Sequence, residues 1–398
     1  MNYNFDETVN RRGTHCMKWD ESTYDDLIPM WVADMDFRVA PCIEQALARR
    51  VAQGVFGYVS VPDDYYQSVI RWFRRRHGWT IRRERMLYTL GVVPAISAII
   101  KAMTSPGDRV LVQTPVYNCF FSSIRNNGCE MVSNDLVYCT DADGVPTYRI
   151  DFDDLQRKAA DPAVKVMIVC NPHNPAGRVW TPDELRRIGT ICLENDVFVI
   201  SDEIHCELVR PGYRYTPFAS LSDDFLLHSA TCISPSKAFN TAGLQIASIV
   251  VGDQQVKGRI DRAININEVC DVNPFGIEAT MAAYSADGEA WLNELLTYIY
   301  ANCDHLVDFM ASRYPQLPVV KLEGTYLAWI DCRPLGKPSE QMEAELLEQQ
   351  HLWINGGTHY GPSGEGFLRI NLACPRRQLD EALGRLDRYL RNSGLGKK

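Results

Sequence analysis

Short apolar runs rich in β-branched residues alternate with helical stretches between about residues 87 and 251, and no other feature restricts the fold as strongly. Residues 110–113, 166–170, 197–202 and 246–251 are runs of this kind. Strands that alternate with helices usually pair in parallel, and the helices cover the faces of the sheet. The pattern therefore predicts an α/β fold with a mostly parallel sheet wrapped by helices.

The pattern changes after about residue 290. Long helical stretches lead to two further apolar runs, at residues 325–330 and 367–372. The 398 residues are also many for one core, because a domain usually holds about 100–200 residues. We therefore expect a second, smaller α+β domain that includes the C-terminal part of the chain.

Three of the apolar runs lead into polar side chains. The run 166–170 is followed by Asn174, the run 197–202 ends in Asp202, and a third run is followed by Lys237. Open α/β sheets bind their ligands at the carboxyl ends of the strands. An amide, a carboxylate and a lysine are therefore expected at one edge of the sheet.

These three groups match the requirements of pyridoxal 5'-phosphate (PLP). The amine of Lys237 would form the Schiff base, Asp202 would keep the pyridine nitrogen protonated, and Asn174 would hydrogen-bond the ring hydroxyl. Each residue alone has an ordinary interpretation, such as a surface lysine or a helix-capping aspartate. Their order along the chain favours the cofactor site.

The motifs around these residues carry a family resemblance. Residues 171–177 read Asn-Pro-His-Asn-Pro-Ala-Gly, residues 202–205 Asp-Glu-Ile-His and residues 234–237 Ser-Pro-Ser-Lys. With further matches from Lys18 to Arg376, the chain resembles the fold-type I PLP enzymes over nearly its whole length. Within them it resembles the MalY/PatB group of cystathionine β-lyases, also called C–S lyases.

The resemblance implies a division of the chain into two domains. A large PLP-binding domain would span residues 48–288. The small domain would combine residues 1–47 with residues 289–398, so that the large domain is inserted between its two parts.

The resemblance also implies roles at the cofactor ring. His205 stands where many relatives have a tyrosine facing the ring hydroxyl, and Tyr117 matches the aromatic residue that stacks on the pyridine. A packed histidine and a core tyrosine are the structural alternatives. Asn171 is expected to shape the turn rather than to bind.

A second group of residues is expected to bind the phosphate. Gly91 precedes an apolar helix, and backbone N–H groups at a helix N-terminus bind phosphate. Many relatives have an arginine eight positions after the lysine, but this chain has Gln245 there. The expected phosphate-binding residues are therefore Val92, Val93, Ser234, Ser236 and, lent by the neighbouring subunit of a homodimer, Tyr58.

Arg369 matches the arginine that grips the substrate α-carboxylate, since a guanidinium fork fits a carboxylate. Residues 31–37 resemble the stretch that covers the substrate, so Ala33, together with Asn174, is expected to contact it. The implied reaction is α,β-elimination: Lys237 removes the Cα proton, the Cβ–S bond breaks with release of a thiol, and the released aminoacrylate is hydrolysed by water to pyruvate and ammonia. Lys237 or Tyr117 would protonate the leaving sulfur, and the sequence leaves this choice open.

Bulk properties exclude other classes of protein. The net charge of -9 predicts no general attraction to nucleic acid or acidic membranes. The N-terminus lacks the features of a signal peptide, and no apolar run has the length of a membrane span. The 13 cysteines follow no metal or disulfide spacing, so no metal and a cytoplasmic location are expected.

Two other functions remain open from the sequence alone. An aminotransferase acting on an α-amino acid would use the same residues. A nucleic-acid-binding protein would use the basic, aromatic patch at residues 71–85, although a helix with Val69, Trp72 and Phe73 turned inward is the simpler interpretation. Cystathionine, cysteine and S-alkyl conjugates all remain possible substrates.

Overall fold

The structure is a computed structural model that describes residues 2–266, 268 and 271–395. The helices are α1 Met17–Asp20, α2 Pro41–Gln53, α3 Asp63–His77, α4 Val92–Met103, α5 Cys119–Asn126, α6 Phe152–Ala159, α7 Pro182–Glu194, α8 Asp223–Leu227, α9 Gln254–Asn265, α10 Pro274–Ala283, α11 Ala286–Arg313, α12 Ser339–Gln350 and α13 Arg376–Leu390. The strands are β1 Ile28–Pro29, β2 Met86–Thr89, β3 Arg109–Val112, β4 Glu130–Ser133, β5 Val137–Thr140, β6 Pro146–Arg149, β7 Val164–Cys170, β8 Phe198–Asp202, β9 Ser229–Ile233, β10 Ala247–Val251, β11 Leu327–Asp331, β12 Leu352–Trp353, β13 Asn355–Gly356 and β14 Phe367–Asn371.

The predicted parallel sheet is present. In the described part of the chain its strand order is β2-β10-β9-β8-β7-β3-β4. The pairs between β9, β8, β7, β3 and β4 are parallel, and β10 runs antiparallel to both of its neighbours. The expectation of a mostly parallel sheet in an α/β fold is therefore confirmed.

Both faces of this sheet are buried, and strand β7 shows why residues 166–170 are continuously apolar. Val166 and Ile168 belong to the apolar cluster that contains the inner side of α4. Met167 and Val169 belong to the cluster on the other face, with α6 and α7. Alternate residues of a strand point to opposite faces, so a strand covered by helices on both sides needs apolar residues throughout.

The start of α7 agrees with the sequence signals around it. Thr181 accepts a hydrogen bond from the Glu184 backbone N–H at 3.2 Å, and the Glu184 carboxylate accepts one from the Thr181 N–H at 2.9 Å. This is a capping box, followed by Pro182 at the first helical position. It fixes where α7 begins, directly after the loop that carries Asn174.

The C-terminal part of the chain contains a separate antiparallel sheet of β11, β14 and β13. Strand β1 pairs with β12, so the N-terminal segment joins the C-terminal part. The small domain and its boundaries near residues 48 and 288 remain a prediction.

The basic patch at residues 71–85 falls largely on α3. Val69, Trp72 and Phe73 are buried, which confirms the inward-facing apolar side expected from the sequence. Arg76 forms ion pairs with Glu207 and with Glu289. The charge of Arg76 is thus neutralised within the protein.

Among the described residues, no helix is both long enough and apolar enough to cross a membrane.

Candidate active site

The carboxyl ends of β7, β8 and β9 meet at one edge of the sheet. Cys170, Asp202 and Cys232 lie side by side in register there. The segments that follow β7 and β9 carry Asn174 and Lys237 to the same edge. Both side chains line a cavity of about 330 Å³ together with Asp202, so the structure brings the three predicted groups together.

The side-chain amine of Lys237 contacts the N-terminal segment. Its Nζ donates a hydrogen bond to the Ala33 carbonyl at 2.7 Å. Burial lowers the pKa of the Lys237 amine, and the positive charge of Arg369 lowers it further. An amine with a lowered pKa is more readily available as a nucleophile or a base near neutral pH.

Asp202 is buried at the end of β8, with 3% of its surface exposed. Burial raises the pKa of this carboxyl to about 7, although the Ile204 N–H at 3.1 Å and the charge of Lys237 oppose the shift. A carboxyl with such a pKa in this cavity is suited to share a proton with a ring nitrogen.

Two polar atoms at the site have no partner within the described part of the chain. They are Nδ1 of His205 and Nε of Arg369, and both residues are buried. Burial lowers the pKa of the His205 imidazole well below its usual value, and the charges of Lys237 and Arg369 add to this effect. Buried polar atoms without partners are costly, so the site is built to receive a polar ligand.

The cavity also has a feature suited to an anion. Helix α4 begins beside it, and Val92 and Val93 of its first turn line the cavity. In the chain as described, no side chain caps this helix start, so its N–H groups are available to a ligand. The residues of this cavity therefore fit PLP, because an amine, a carboxylate, an amide and a helix N-terminus suited to a phosphate all line it.

The two predicted serines differ in position. Ser236 lines the cavity, whereas Ser234 lies behind it and donates a hydrogen bond to the Ile246 carbonyl at 2.6 Å. The two hydroxyls are 3.0 Å apart. Gln245, which stands in place of the arginine of many relatives, also lines the cavity. Only Ser236 of the two serines is thus placed to face a bound phosphate directly, and its role stays a prediction.

Tyr117 lines the cavity just before α5. Burial raises the pKa of its phenol well above the usual value, and the neighbouring Cys119 contributes to the shift. The hydroxyl therefore keeps its proton at neutral pH and can donate it.

Arg369 does not line the cavity but reaches its edge through Asn174. It lies in the middle of β14, and its Nη1 donates to Asn174 Oδ1 at 3.2 Å. Nη2 donates to the Trp31 carbonyl at 2.5 Å. The guanidinium is thus buried, fixed in orientation, and close to the residue expected to bind both cofactor and substrate.

Tyr58 is placed away from the cavity of its own chain. Its side chain is 94% exposed in the stretch between α2 and α3. The structure therefore leaves it free to contact another subunit, and that role remains a prediction. Asn171 contacts the protein itself: its side chain accepts from the Trp180 N–H and donates to the Thr216 carbonyl, as expected for a residue that shapes the turn.

Two residues that were not predicted from the sequence hold the N-terminal segment beside the cavity. The Asn371 amide donates to the carbonyls of Val32 and Asp34 at 2.6 Å each, and the Tyr326 hydroxyl donates to the Ala33 carbonyl at 2.9 Å. One signal for Asn371 was available: it lies two positions after Arg369 on a strand, so both side chains point to the same face. Tyr326 had no comparable signal.

A polar cluster of His77, Cys206 and Glu207 lies outside this cavity. Glu207 accepts hydrogen bonds from Trp72 Nε1 at 2.6 Å and from Arg76 Nε at 2.8 Å, and His77 Nε2 lies 2.7 Å from it. These contacts lower the Glu207 pKa to about 2 even though burial acts to raise it. The carboxylate is satisfied by protein donors and anchors α3 to the segment that follows β8.

Comparisons with known proteins agree with this site. A family model described as "Aminotransferase class I and II" matches residues 17–386. Among curated proteins, the cystathionine β-lyase PatB of Bacillus subtilis is 41% identical, with 96% of this chain and 98% of PatB covered.

Solved structures give the same relationship. A PLP-bound protein from Clostridium difficile 630, named as an aminotransferase, has a TM-score of 0.92 and 42% identity, with 97% of this chain and 99% of that chain covered. A PLP-bound C–S lyase from Staphylococcus hominis has a TM-score of 0.90 and 34% identity, with 98% and 99% covered.

Proposed function

The chain belongs to the class I and II aminotransferase family, and on that premise we propose that it is a PLP-dependent C–S β-lyase. The reaction is the α,β-elimination of L-cystathionine or a related cysteine S-conjugate to a thiol, pyruvate and ammonia. The observation that carries the proposal is the cavity in which Lys237, Asp202 and Asn174 converge. The 41% identity to PatB favours elimination over amino transfer.

PLP would be held by several residues of the cavity. Lys237 would attach it covalently, Asp202 would pair with the ring nitrogen, and Asn174 with His205 would contact the ring hydroxyl. The first turn of α4 and Ser236 would bind the phosphate. When bound, the cofactor supplies an electron sink for the negative charge that develops at the substrate Cα.

Arg369 would bind the α-carboxylate of the substrate. Its Nη1 and Nη2 are held by Asn174 and the Trp31 carbonyl, so the planar fork has little freedom to rotate. A bidentate contact to the carboxylate would fix the Cα–H and Cβ–S bonds relative to the other groups of the site. Orientation of this kind is what elimination requires.

Lys237 would act as the general base once the substrate amine has displaced it. Its lowered pKa increases the fraction of free amine near neutral pH, and the Ala33 carbonyl keeps the Nζ at a defined place. The amine would take the proton from the substrate Cα.

The departing sulfur would be protonated from the same side of the cavity. Lys237, after it has taken the Cα proton, and Tyr117, with its raised pKa, are both proton donors there. A Tyr117→Phe variant separates the two, because it removes only the phenolic proton.

We also propose a homodimeric assembly, a cytoplasmic location and a division into two domains for this protein. A homodimer would let the exposed Tyr58 complete the phosphate site of the partner subunit. The described cysteines are free thiols, which supports a reducing compartment such as the cytoplasm. The large domain would span residues 48–288, with the small domain formed by the remaining two parts of the chain.

Release of pyruvate and thiol from a panel of cystathionine, cysteine and S-alkylcysteines tests the proposal. Purified protein loaded with PLP should produce pyruvate and thiol in equal amounts without any added keto acid, and Lys237→Ala should abolish this. Borohydride should fix the chromophore on the peptide that contains Lys237. If the product instead requires a keto-acid acceptor and is a new amino acid, the protein is an aminotransferase and the proposal is wrong.

A further inference from the structure

A buried ionic cluster lies next to the segment that covers the cavity. Its members are Arg11, Lys18, Asp34 and Asp36. Lys18 Nζ is 2.7 Å from Asp36 and 3.4 Å from Asp34, and Arg11 is 2.5 Å from Asp34 and 2.7 Å from Asp36. Each cation therefore bridges both carboxylates, and the cluster as a whole carries no net charge.

The cluster is fully enclosed around Lys18 and Asp36, which are 1% and 3% exposed. Asp36 also accepts hydrogen bonds from Trp19 Nε1 at 2.8 Å and Gln378 Nε2 at 2.9 Å. Burial disfavours both charges, but their mutual attraction keeps the Lys18 pKa raised and the Asp36 pKa lowered. Both groups are thus ionised, and the cluster joins three separate parts of the chain: the N-terminal stretch with α1, the covering segment and α13.

In the covering segment, residues 31–37, the side chains of Asp34 and Asp36 belong to this cluster, and two backbone carbonyls contact residues of the site. The Trp31 carbonyl accepts from Arg369, and the Ala33 carbonyl accepts from Lys237. Asp34 is the next residue after Ala33, and Asp36 follows two positions later. A shift of the two carboxylates would therefore move the two carbonyls that orient the substrate-binding arginine and the catalytic lysine.

We propose that Lys18 and Asp36 are positioning residues for the elimination reaction, because the ionic cluster holds the covering segment in register with Arg369 and Lys237. The inference rests on the proposed function of the same site. Neither residue lines the cavity, so both act through the segment rather than on the substrate.

The presence of charged side chains in a buried cluster supports a positioning role. A buried ion pair adds little to stability relative to well-packed apolar residues, because desolvation offsets the attraction. Ion pairs and hydrogen bonds do, however, fix direction and distance, which apolar contacts do not. Supporting residues that lock the geometry of catalytic groups are a general need of active sites.

The experiment compares Lys18→Met with Arg38→Met. Arg38 lies in the same part of the chain and forms an ion pair with Glu7, but both side chains are largely exposed, at 59% and 45%. Arg38→Met therefore removes a surface pair next to the covering segment and leaves the buried cluster intact. Lys18→Arg retains the charge and serves as the conservative variant.

The first readout is hydrogen exchange in the PLP-loaded protein. The Met35 N–H donates to Asn240 and the Asp36 N–H donates to the Ala373 carbonyl, so both amides report the position of the segment. In Lys18→Met they should exchange at least about tenfold faster, since local opening becomes easier. Arg38→Met should exchange like the parent protein.

The second readout is activity on L-cystathionine at equal cofactor content. In Lys18→Met, kcat should fall by about 10- to 100-fold, because small misplacements of catalytic groups have effects of this size. Lys18→Arg should recover part of the loss, and Arg38→Met should show none. Unchanged exchange together with unchanged kcat in a folded Lys18→Met protein would overturn the proposal.

A second variant and the hydrogen-exchange measurement keep the proposal testable if Lys18→Met does not fold or if the protein is not a lyase. If Lys18→Met does not fold, Asp34→Asn loosens the same cluster at its half-buried end and should give the same two effects in milder form; a folded Asp34→Asn protein without either effect overturns the proposal. Hydrogen exchange does not depend on the reaction type. Faster exchange in a protein that forms no pyruvate would therefore support the positioning role of the cluster while the lyase assignment fails.

Discussion

At the scale of single residues, burial determines the charge of the groups at the site. Desolvation lowers the pKa of the Lys237 amine and raises that of the Asp202 carboxyl to about 7. Both shifts make a proton easier to exchange near neutral pH. The sequence contains only an ordinary lysine and an ordinary aspartate, and the enclosing cavity gives them these properties.

Asp202 should make the stability of the cofactor-free protein depend on pH. Its pKa is raised on folding, so the folded state binds more protons than the unfolded state between about pH 4 and pH 7. The stabilisation is present below the unfolded pKa and is lost as the pH rises through about 7. Asp202→Asn should reduce the difference in unfolding free energy between pH 4.5 and pH 7.5 by on the order of a few kcal/mol.

Urea unfolding at the two pH values measures this effect. Asp183→Asn, whose carboxylate is 93% exposed, is the matched control and should leave the difference unchanged. Glu203, whose pKa burial also raises to about 7, should keep part of the pH dependence in both variants. A difference as large in Asp202→Asn as in the parent would show that Asp202 is not the group that titrates.

At the scale of secondary-structure elements, caps and strand ends set where each group lies. The capping box at α7 fixes the end of the loop that carries Asn174. The start of α4, in contrast, has no capping side chain in the described structure, and it faces the cavity. A helix that only supports the fold gains from a cap, whereas an uncapped start can bind an anion.

Thr181→Ala should lower the free energy of unfolding by about 1 kcal/mol, because it removes the hydroxyl that accepts from the Glu184 N–H and donates to the Glu184 carboxylate. Thr181→Ser keeps the hydroxyl and should retain most of the stability. Chemical denaturation of both variants measures the difference. Equal loss in both would indicate that the methyl group, rather than the cap, is responsible.

At the scale of the whole molecule, the predicted phosphate-binding residue Tyr58 lies on the surface and does not line the cavity of its own chain. Tyr58 is almost fully exposed, close to the exposed Val55 and Phe56. An exposed apolar stretch of this kind is typical of a surface that another protein covers. A second copy of the chain, with Tyr58 reaching its phosphate site, is the occupant we propose.

Mixing two impaired variants tests this shared site. Lys237→Ala lacks the attachment residue, and Tyr58→Phe should bind the cofactor weakly. If the site is shared, hybrid dimers contain one cavity with both wild-type residues and recover activity. Mixing Lys237→Ala with the double variant Lys237→Ala/Tyr58→Phe should recover none. Proven subunit exchange without recovery in the first mixture would contradict the shared site.

The sheet and the residues at its edge were predictable from the sequence. Residues 166–170 of β7 are continuously apolar because both faces of the strand are buried, so the parallel sheet followed from local composition. Asn174, Asp202 and Lys237 follow directly from strands that end at one edge, and their convergence was predictable for the same reason. These features depend on residues that are close in sequence or on the order of strands.

Which groups meet across long separations in the sequence depends on tertiary packing. Lys18 pairs with Asp36 inside the protein, and the Ala33 carbonyl meets Lys237 although 204 residues separate them. Tertiary packing also lets the Ser234 hydroxyl donate a hydrogen bond to the Ile246 carbonyl and places Arg369 next to Asn174, at the edge of the cavity. Such contacts depend on how the N-terminal segment and β14 pack against the large sheet, and the pKa shifts depend on the burial that this packing creates. Local sequence patterns carry no information on either, because both arise from residues that become neighbours only when the chain has folded.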